Sequence, residues 1–394
     1  MTDLPFAPAE YAARQQAARA ALQSRGLDGL LAFKQETMAW LTGYESFGFC
    51  FFQCLYLGVD GTLTLLTRAP DRRQAQMTSV LSDIRVWADG VDADPVLDLE
   101  DILLEHGARG GRLGVEYDSY GLPAAAGRRL DAAIGNIARL EDASDLVTRL
   151  RAVKSPAELA HVRRAAALAD DAWRAALATA APGAHENAVL AAMQGAVFQG
   201  GGDYPGNEFI IGSGPRARLC RYASGRQRLQ AGDQLTLEWA GAYRHYHAAL
   251  MRSFTVGAED AGDGRLGPDR DPDRQALYAV ARDTLFACED ALRPGRTAGD
   301  IYAAHARHLD EAGLSRWRMN ACGYGLGATF TPTWMDWPMF YRDNPAAIAP
   351  GMVFFIHIII FDDDRGLAMT LGRTSVVTRT GAEPLSDAVL AADR

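Results

Sequence analysis

The chain has 394 residues, 48% hydrophobic and 23% charged, and a formal net charge of −9. That length gives room for two ordinary domains with a sizeable buried core. The acidic balance excludes a phosphate-tracking nucleic-acid binder, which needs clustered Lys and Arg.

The opening "MTDLPFAPAEYAARQQAARAAL" is acidic and helical where a secretion signal would be basic and then apolar, so a cytoplasmic location is expected. Five cysteines, Cys50, Cys54, Cys220, Cys288 and Cys322, form no CxxC pair; reduced thiols and no structural zinc follow. Residues 1–150 alternate helix-like stretches with strand-like ones such as "LDGLLAF", "CLYLGVDGTLTLLTR" and "RLGVEYD", the pattern of an α/β domain. Within it, "TGYESFGFCFFQ" (42–53), with Phe47, is too aromatic for an ordinary loop.

Ser155-Pro156 followed by Glu158 reads as a capping box with Pro at the first helical position. A second domain, 151–394, is expected to start there. It contains a repeat: "DAWRAALATAAPGAHENAVLAA" (171–192) aligns without gaps with "DTLFACEDALRPGRTAGDIYAA" (283–304), matching Pro182-Gly183 to Pro294-Gly295. Strand-like segments follow each copy, so two similar halves with a site between them are expected. The polar stretch 258–274 reads as a surface excursion. "MVFFIHIIIF" (352–361) is strand-length and far too short to span a bilayer, so it reads as a central strand.

The segments "VKSPAEL", "GDQLTLEWAG", "YHAALMRSF", "ACGYGLG" and "PGMVFF", with the duplicated PG helices, resemble the pita-bread superfamily of Xaa-Pro peptidases, methionine aminopeptidases, creatinase and ectoine hydrolase. The resemblance implies an α+β protein: an N-terminal creatinase-type α/β domain, 1–150, and a C-terminal pita-bread domain, 151–394, with pseudo-twofold duplicated halves. The metal peptidases of that superfamily hold a dinuclear centre with two Asp, one His and two Glu. The motif frame puts those positions at Glu238, Ala249, Tyr324, His357 and Gly372. Two separated donors rarely hold a divalent ion against water, so the resemblance implies no metal and no cofactor, as in creatinase. "GGDYP" (201–205), with Tyr204, and "EWAGAYRHYH" (238–247) look most like the ectoine hydrolase branch, whereas "TWMDWPMFYRDN" (333–344) does not match it.

A protonated amidine or guanidine is already electron-poor at carbon and can dispense with a metal. Glu238 would attract such a cation and add to its carbon or position water; the bland account is a strand-edge carboxylate paired with Arg252. His357, a lone histidine in an apolar strand, is expected to act as acid or base near neutral pH. Alternation through "YRHYHAAL" puts Arg244 and Tyr246 on one face and His245 and His247 on the other, with His247 the member expected at the site. Tyr324 can donate where a ligand stood, and Arg221 can grip a substrate carboxylate. Asp336 among Trp334 and Trp337 suits a cation through cation–π attraction. In relatives the part of the small domain holding Phe47 reaches a neighbouring subunit's site. These expectations describe a homodimeric, metal-independent C–N hydrolase of the amidinohydrolase type, acting on a small zwitterion such as ectoine or creatine. The alternatives are an Xaa-Pro peptidase with an altered metal site and a non-catalytic binding homologue; neither nucleic acid nor membrane is an expected partner.

Overall fold

The computed structural model describes residues 4–222, 225–257, 269 and 271–390, so most of the 258–274 excursion (258–268 and 270) lies outside the described residues. The chain divides into two compact units, Met1–Arg151 and Ala152–Arg394.

The first unit is a six-stranded sheet with helices. Its strands are β1 (Gly29–Ala32), β2 (Cys54–Gly58), β3 (Leu63–Arg68), β4 (Asp83–Trp87), β5 (Arg112–Val115) and β6 (Arg139–Asp142). They lie in the order β4-β3-β2-β1-β5-β6, antiparallel about β2 and parallel elsewhere. The helices are α1 (Pro8–Arg25), α2 (Gln35–Thr42), α3 (Ala69–Thr78), α4 (Pro95–Glu105), α5 (Ala124–Ile134) and α6 (Leu146–Ala152). Glu116 is buried among them, and its carboxylate accepts from the Phe33 and Lys34 amides and the Thr37 hydroxyl. That bonding offsets the cost of burying it.

The second unit starts with α7 (Pro156–Thr179) and α8 (Glu186–Gln199), which recur as α9 (Pro272–Ala291) and α10 (Ala298–Glu311). The Ser155–Glu158 capping box forms as read, and Thr297 with Asp300 builds a second one at α10. Gly183 and Gly295 share a positive φ, +88° and +87°. Each copy thus needs a glycine to turn between its paired helices. The strands are β7 (Ile210–Ser213), β8 (Gln234–Tyr243), β9 (Tyr246–Thr255), β10 (Ala321–Gly325), β11 (Asp336–Tyr341), β12 (Val353–Asp362), β13 (Leu367–Val377) and β14 (Ala382–Pro384). They form one sheet in the order β11-β10-β12-β13-β9-β8-β7, with β14 on β13. The "MVFFIHIIIF" segment is an interior strand of it, β12.

Helices cover one face of this sheet. Trp239 stacks on Trp173 of α7 at 5.3 Å and donates its indole N–H to the Ala169 carbonyl. A Cβ on Gly241 would lie 2.0 Å from the Ala165 carbonyl oxygen, so only glycine lets α7 approach there. Arg373 makes two bonds, of 2.8 and 2.7 Å, to Glu289 of α9. Residues alternating with these face the other way.

One expectation fails at the β8–β9 hairpin. Arg244 (φ 50°) and His245 (φ 63°) are both left-handed and lie between the paired Tyr243 and Tyr246. They form the two-residue turn, of the primed type that matches strand twist. The strand alternation read through 244–247 is therefore interrupted; no Gly or Asn announces the turn.

Candidate active site

Glu238 is set between Ile210 and Met251; Met251 also pairs with Gly372, and Gly372 with His357. One transverse row thus crosses β7, β8, β9, β13 and β12 on the face away from the helices. The next row carries Ala240 opposite Ala249, and Thr374 opposite Phe355, which pairs with Tyr324. The positions 238, 249, 324, 357 and 372 therefore share one face.

Among them Glu238 and Tyr324 meet directly: the phenol hydroxyl donates to Glu238 Oε1 at 3.2 Å. Tyr324 in turn accepts from the Trp334 indole N–H at 2.8 Å. The Tyr324 and His357 rings are 5.7 Å apart, and Phe355 lies against both, at 5.5 and 5.4 Å. Arg252 pairs with Leu237 in register, so it projects to the helix side, where its guanidinium lies 4.1 Å from the Tyr278 ring. The account of Glu238 as a strand-edge carboxylate paired with Arg252 is therefore wrong on both counts.

Burial dominates the electrostatics. It pushes Glu238 up to about 7, against the opposing pull of the Tyr324 hydroxyl and the Arg221 charge. Burial and then the Glu238 charge hold Tyr324 well above the usual phenol range. Cys220 is driven to about 11 by burial and then by Glu238. His357 is pulled down to about 4 by burial, and its Nδ1 has no hydrogen-bond partner among the described residues. The group that titrates near neutrality is therefore Glu238, which corrects the expectation placed on His357.

The remaining expected residues are distributed differently. His247 is fully buried, and both ring nitrogens are engaged: Nε2 accepts from the Gly206 amide at 2.9 Å, and Nδ1 lies 3.1 Å from the Thr329 hydroxyl. It offers no free nitrogen to a substrate. Trp334 is 1% exposed, too enclosed to present a ring face to a ligand. Asp336 pairs with Gly325 and receives the Trp337 amide. A Cβ on Gly327 would be 3.2 Å from its Oδ2 and 3.4 Å from Lys154 Nζ, so a lysine of the same unit lies close by. Trp337 is partly buried in β11. Arg221 is exposed, within electrostatic reach of Glu238. Tyr204 is 78% exposed and packs edge-on to Phe198 at 4.8 Å. Phe47 is 79% exposed and belongs to the first unit.

Sequence reading missed Phe355, whose period-two spacing from His357 was available, and Thr374. The Thr374 hydroxyl accepts from the Ala249 amide at 2.8 Å and donates to the Ala249 carbonyl at 2.9 Å, stitching β9 to β13 where their ladder ends. Of the five family positions only Glu238 and His357 carry side-chain donors suited to a metal. Among the described residues no group of three or more His, Cys, Asp or Glu could hold a metal ion. The residues present do not fit a dinuclear centre.

The profile of the Creatinase/Prolidase N-terminal domain matches residues 14–153, and that of metallopeptidase family M24 matches residues 160–379. An ectoine hydrolase of Halomonas elongata is 29% identical, covering 98% of this chain and 97% of its own. An Xaa-Pro dipeptidase of Pyrococcus furiosus is 23% identical over 64% of this chain and 68% of its own. The crystal structure of dipeptidase PepE from Mycobacterium ulcerans superposes with a TM-score of 0.82 at 26% identity, over 97% of each chain. With the sheet, the duplicated helix pairs and the profile in agreement, this chain belongs to metallopeptidase family M24 and is built as a pita-bread enzyme behind a creatinase-type N-terminal domain.

Proposed function

We propose that this M24-family hydrolase cleaves a non-peptide C–N bond in a small zwitterion of the ectoine or creatine type, without a metal. The observation that carries the reading is Glu238: the only carboxylate at the five family positions, hydrogen-bonded to Tyr324 and titrating about pH 7. A cationic amidine favours the ionised carboxylate. Glu238 then takes a proton from water as the water oxygen bonds to the amidine carbon, and returns it to the nitrogen as the C–N bond breaks. Tyr324 orients the carboxylate, neutral His357 lines the site, and Arg221 receives the substrate carboxylate. The similarity to an ectoine hydrolase along nearly the whole chain supports this choice of substrate class.

The second reading, an Xaa-Pro dipeptidase, is favoured by the likeness to PepE and to the Pyrococcus enzyme. Mass spectrometry of the purified protein with cyclic amidines, guanidino acids and Xaa-Pro dipeptides, with and without chelator, separates the two. Amidine hydrolysis that survives chelation is expected. Xaa-Pro cleavage abolished by chelator replaces the proposal, and no turnover of any compound leaves a binding homologue.

We further propose a cytosolic homodimer. All five cysteines are free, as a reducing compartment keeps them. Phe47 and Phe51 are 79% and 48% exposed, an apolar pair suited to a partner surface. Light scattering that gives a monomer at micromolar concentration refutes the dimer.

A further inference from the structure

The bond from Trp334 to Tyr324 has a fixed polarity. An indole N–H is a donor only and an ionised carboxylate an acceptor only. With Trp334 donating to the Tyr324 oxygen at 2.8 Å, the single phenol hydrogen is left to point at Glu238 Oε1, 3.2 Å away. Rotating it elsewhere would leave a partly buried carboxylate oxygen without that donor.

Trp334 is itself pinned by its backbone. Its amide donates to Asn207 Oδ1 at 3.2 Å, and its carbonyl accepts from the Thr329 hydroxyl at 3.3 Å. The direction of this second chain is also determined. His247 Nε2 accepts from the Gly206 amide, so the proton of the neutral ring is on Nδ1, facing the Thr329 hydroxyl, which gives its own hydrogen to the Trp334 carbonyl. Gly206 packs directly on the same peptide: a Cβ there would lie 2.7 Å from Thr333 O and 2.8 Å from Trp334 N. Two loops, one from each half, are thereby locked around one indole.

We propose that Trp334 is a positioning residue that holds the Tyr324 hydroxyl as a donor to ionised Glu238, and that His247 anchors Trp334 instead of carrying protons. Its effect on turnover rests on the hydrolase reading above; the hydrogen-bond chain does not. Cys220, Arg221 and His357 also border the site, and none of them bonds to the indole.

The test is the indole ¹⁵N–¹H spectrum, which contains seven tryptophans, with the Trp334 signal assigned by its loss in Trp334→Phe. In the wild type this signal is expected downfield, as for a strongly bonded N–H. It should move in Tyr324→Phe, and also in Glu238→Gln, which leaves the indole untouched and changes only the far end of the chain. Gly206→Ala, remote from Glu238, should move it by displacing the Thr333–Trp334 peptide. A Trp334 signal unchanged in both Tyr324→Phe and Glu238→Gln overturns the proposal, whether or not a substrate has been found. On a substrate, Trp334→Phe should lower kcat by about 10-fold, one hydrogen bond's worth, with KM within about threefold. Loss expressed in KM alone overturns the positioning role and leaves the hydrolase reading standing. Should Trp334→Phe fail to fold, the signal is assigned in the wild type by through-bond correlation to the Trp334 backbone resonances, and Tyr324→Phe with Glu238→Gln carries the decision.

Discussion

Glu238 is expensive to ionise, and that cost is the handle for testing it. Its native pKa of about 7 is above the ordinary 4.5, so between those values the folded protein holds a proton that the unfolded chain has released. Its contribution to stability therefore falls as pH rises through that window. Glu238→Gln should lower kcat by roughly 10³-fold and raise stability above pH 7 by about 1–2 kcal/mol after solvent screening. Kinetics and denaturant titration check both; normal turnover in this variant ends the hydrolase reading. Because His357 titrates about 4, His357→Asn should slow the reaction yet keep a rising pH–rate limb near 7. Movement of that limb would return the acid–base role to His357. At this scale the sequence revealed positions better than roles. Glu238, Tyr324 and His357 come onto one face because motif spacing is covalent and strand register carries it into space. That both ring nitrogens of His247 are taken, or that Lys154 lies close to Asp336, depends on loops distant in sequence, and no spacing encodes that.

At the level of elements, the helices were legible because capping boxes and the PG repeat act locally. The hairpin turn at Arg244-His245 was not, because ordinary side chains there take left-handed angles under the pull of the flanking ladder. Nor was the junction of β9 and β13, which pair only at Leu371–Arg252 and Gly372–Met251. Beyond that point Thr374 serves both backbone groups of Ala249. Thr374→Val keeps shape and leaves both groups unpaired, so a loss of about 1–3 kcal/mol is expected in urea denaturation. A loss under 0.5 kcal/mol would mean that water serves Ala249 equally well.

For the whole molecule, three buried histidines are expected to set the acid limit. His247 and His357 are pulled down to about 4 and His305 to about 3, each chiefly by burial, and neither ring nitrogen of His305 has a partner among the described residues. Below the ordinary imidazole value of 6.5 the unfolded chain takes up protons that the native state refuses. Stability from these groups is complete above that pH and is lost as pH falls toward 4. His305→Leu should flatten this acid limb in denaturation measured at pH 4.5 and 6.5. An unchanged slope would assign acid lability to the carboxylates instead.

The row through Glu238 also has a consequence for how the enzyme fails. Its carboxylate comes from the first helix–strand copy, and the phenol and imidazole come from the second, brought together by strands that must all be in register. Neither copy holds the whole of the chemistry, so there is no partly competent intermediate for denaturant to expose. Catalysis should vanish along the same curve as the far-ultraviolet signal of the sheet, and this enzyme's activity then doubles as a gauge of its global folding.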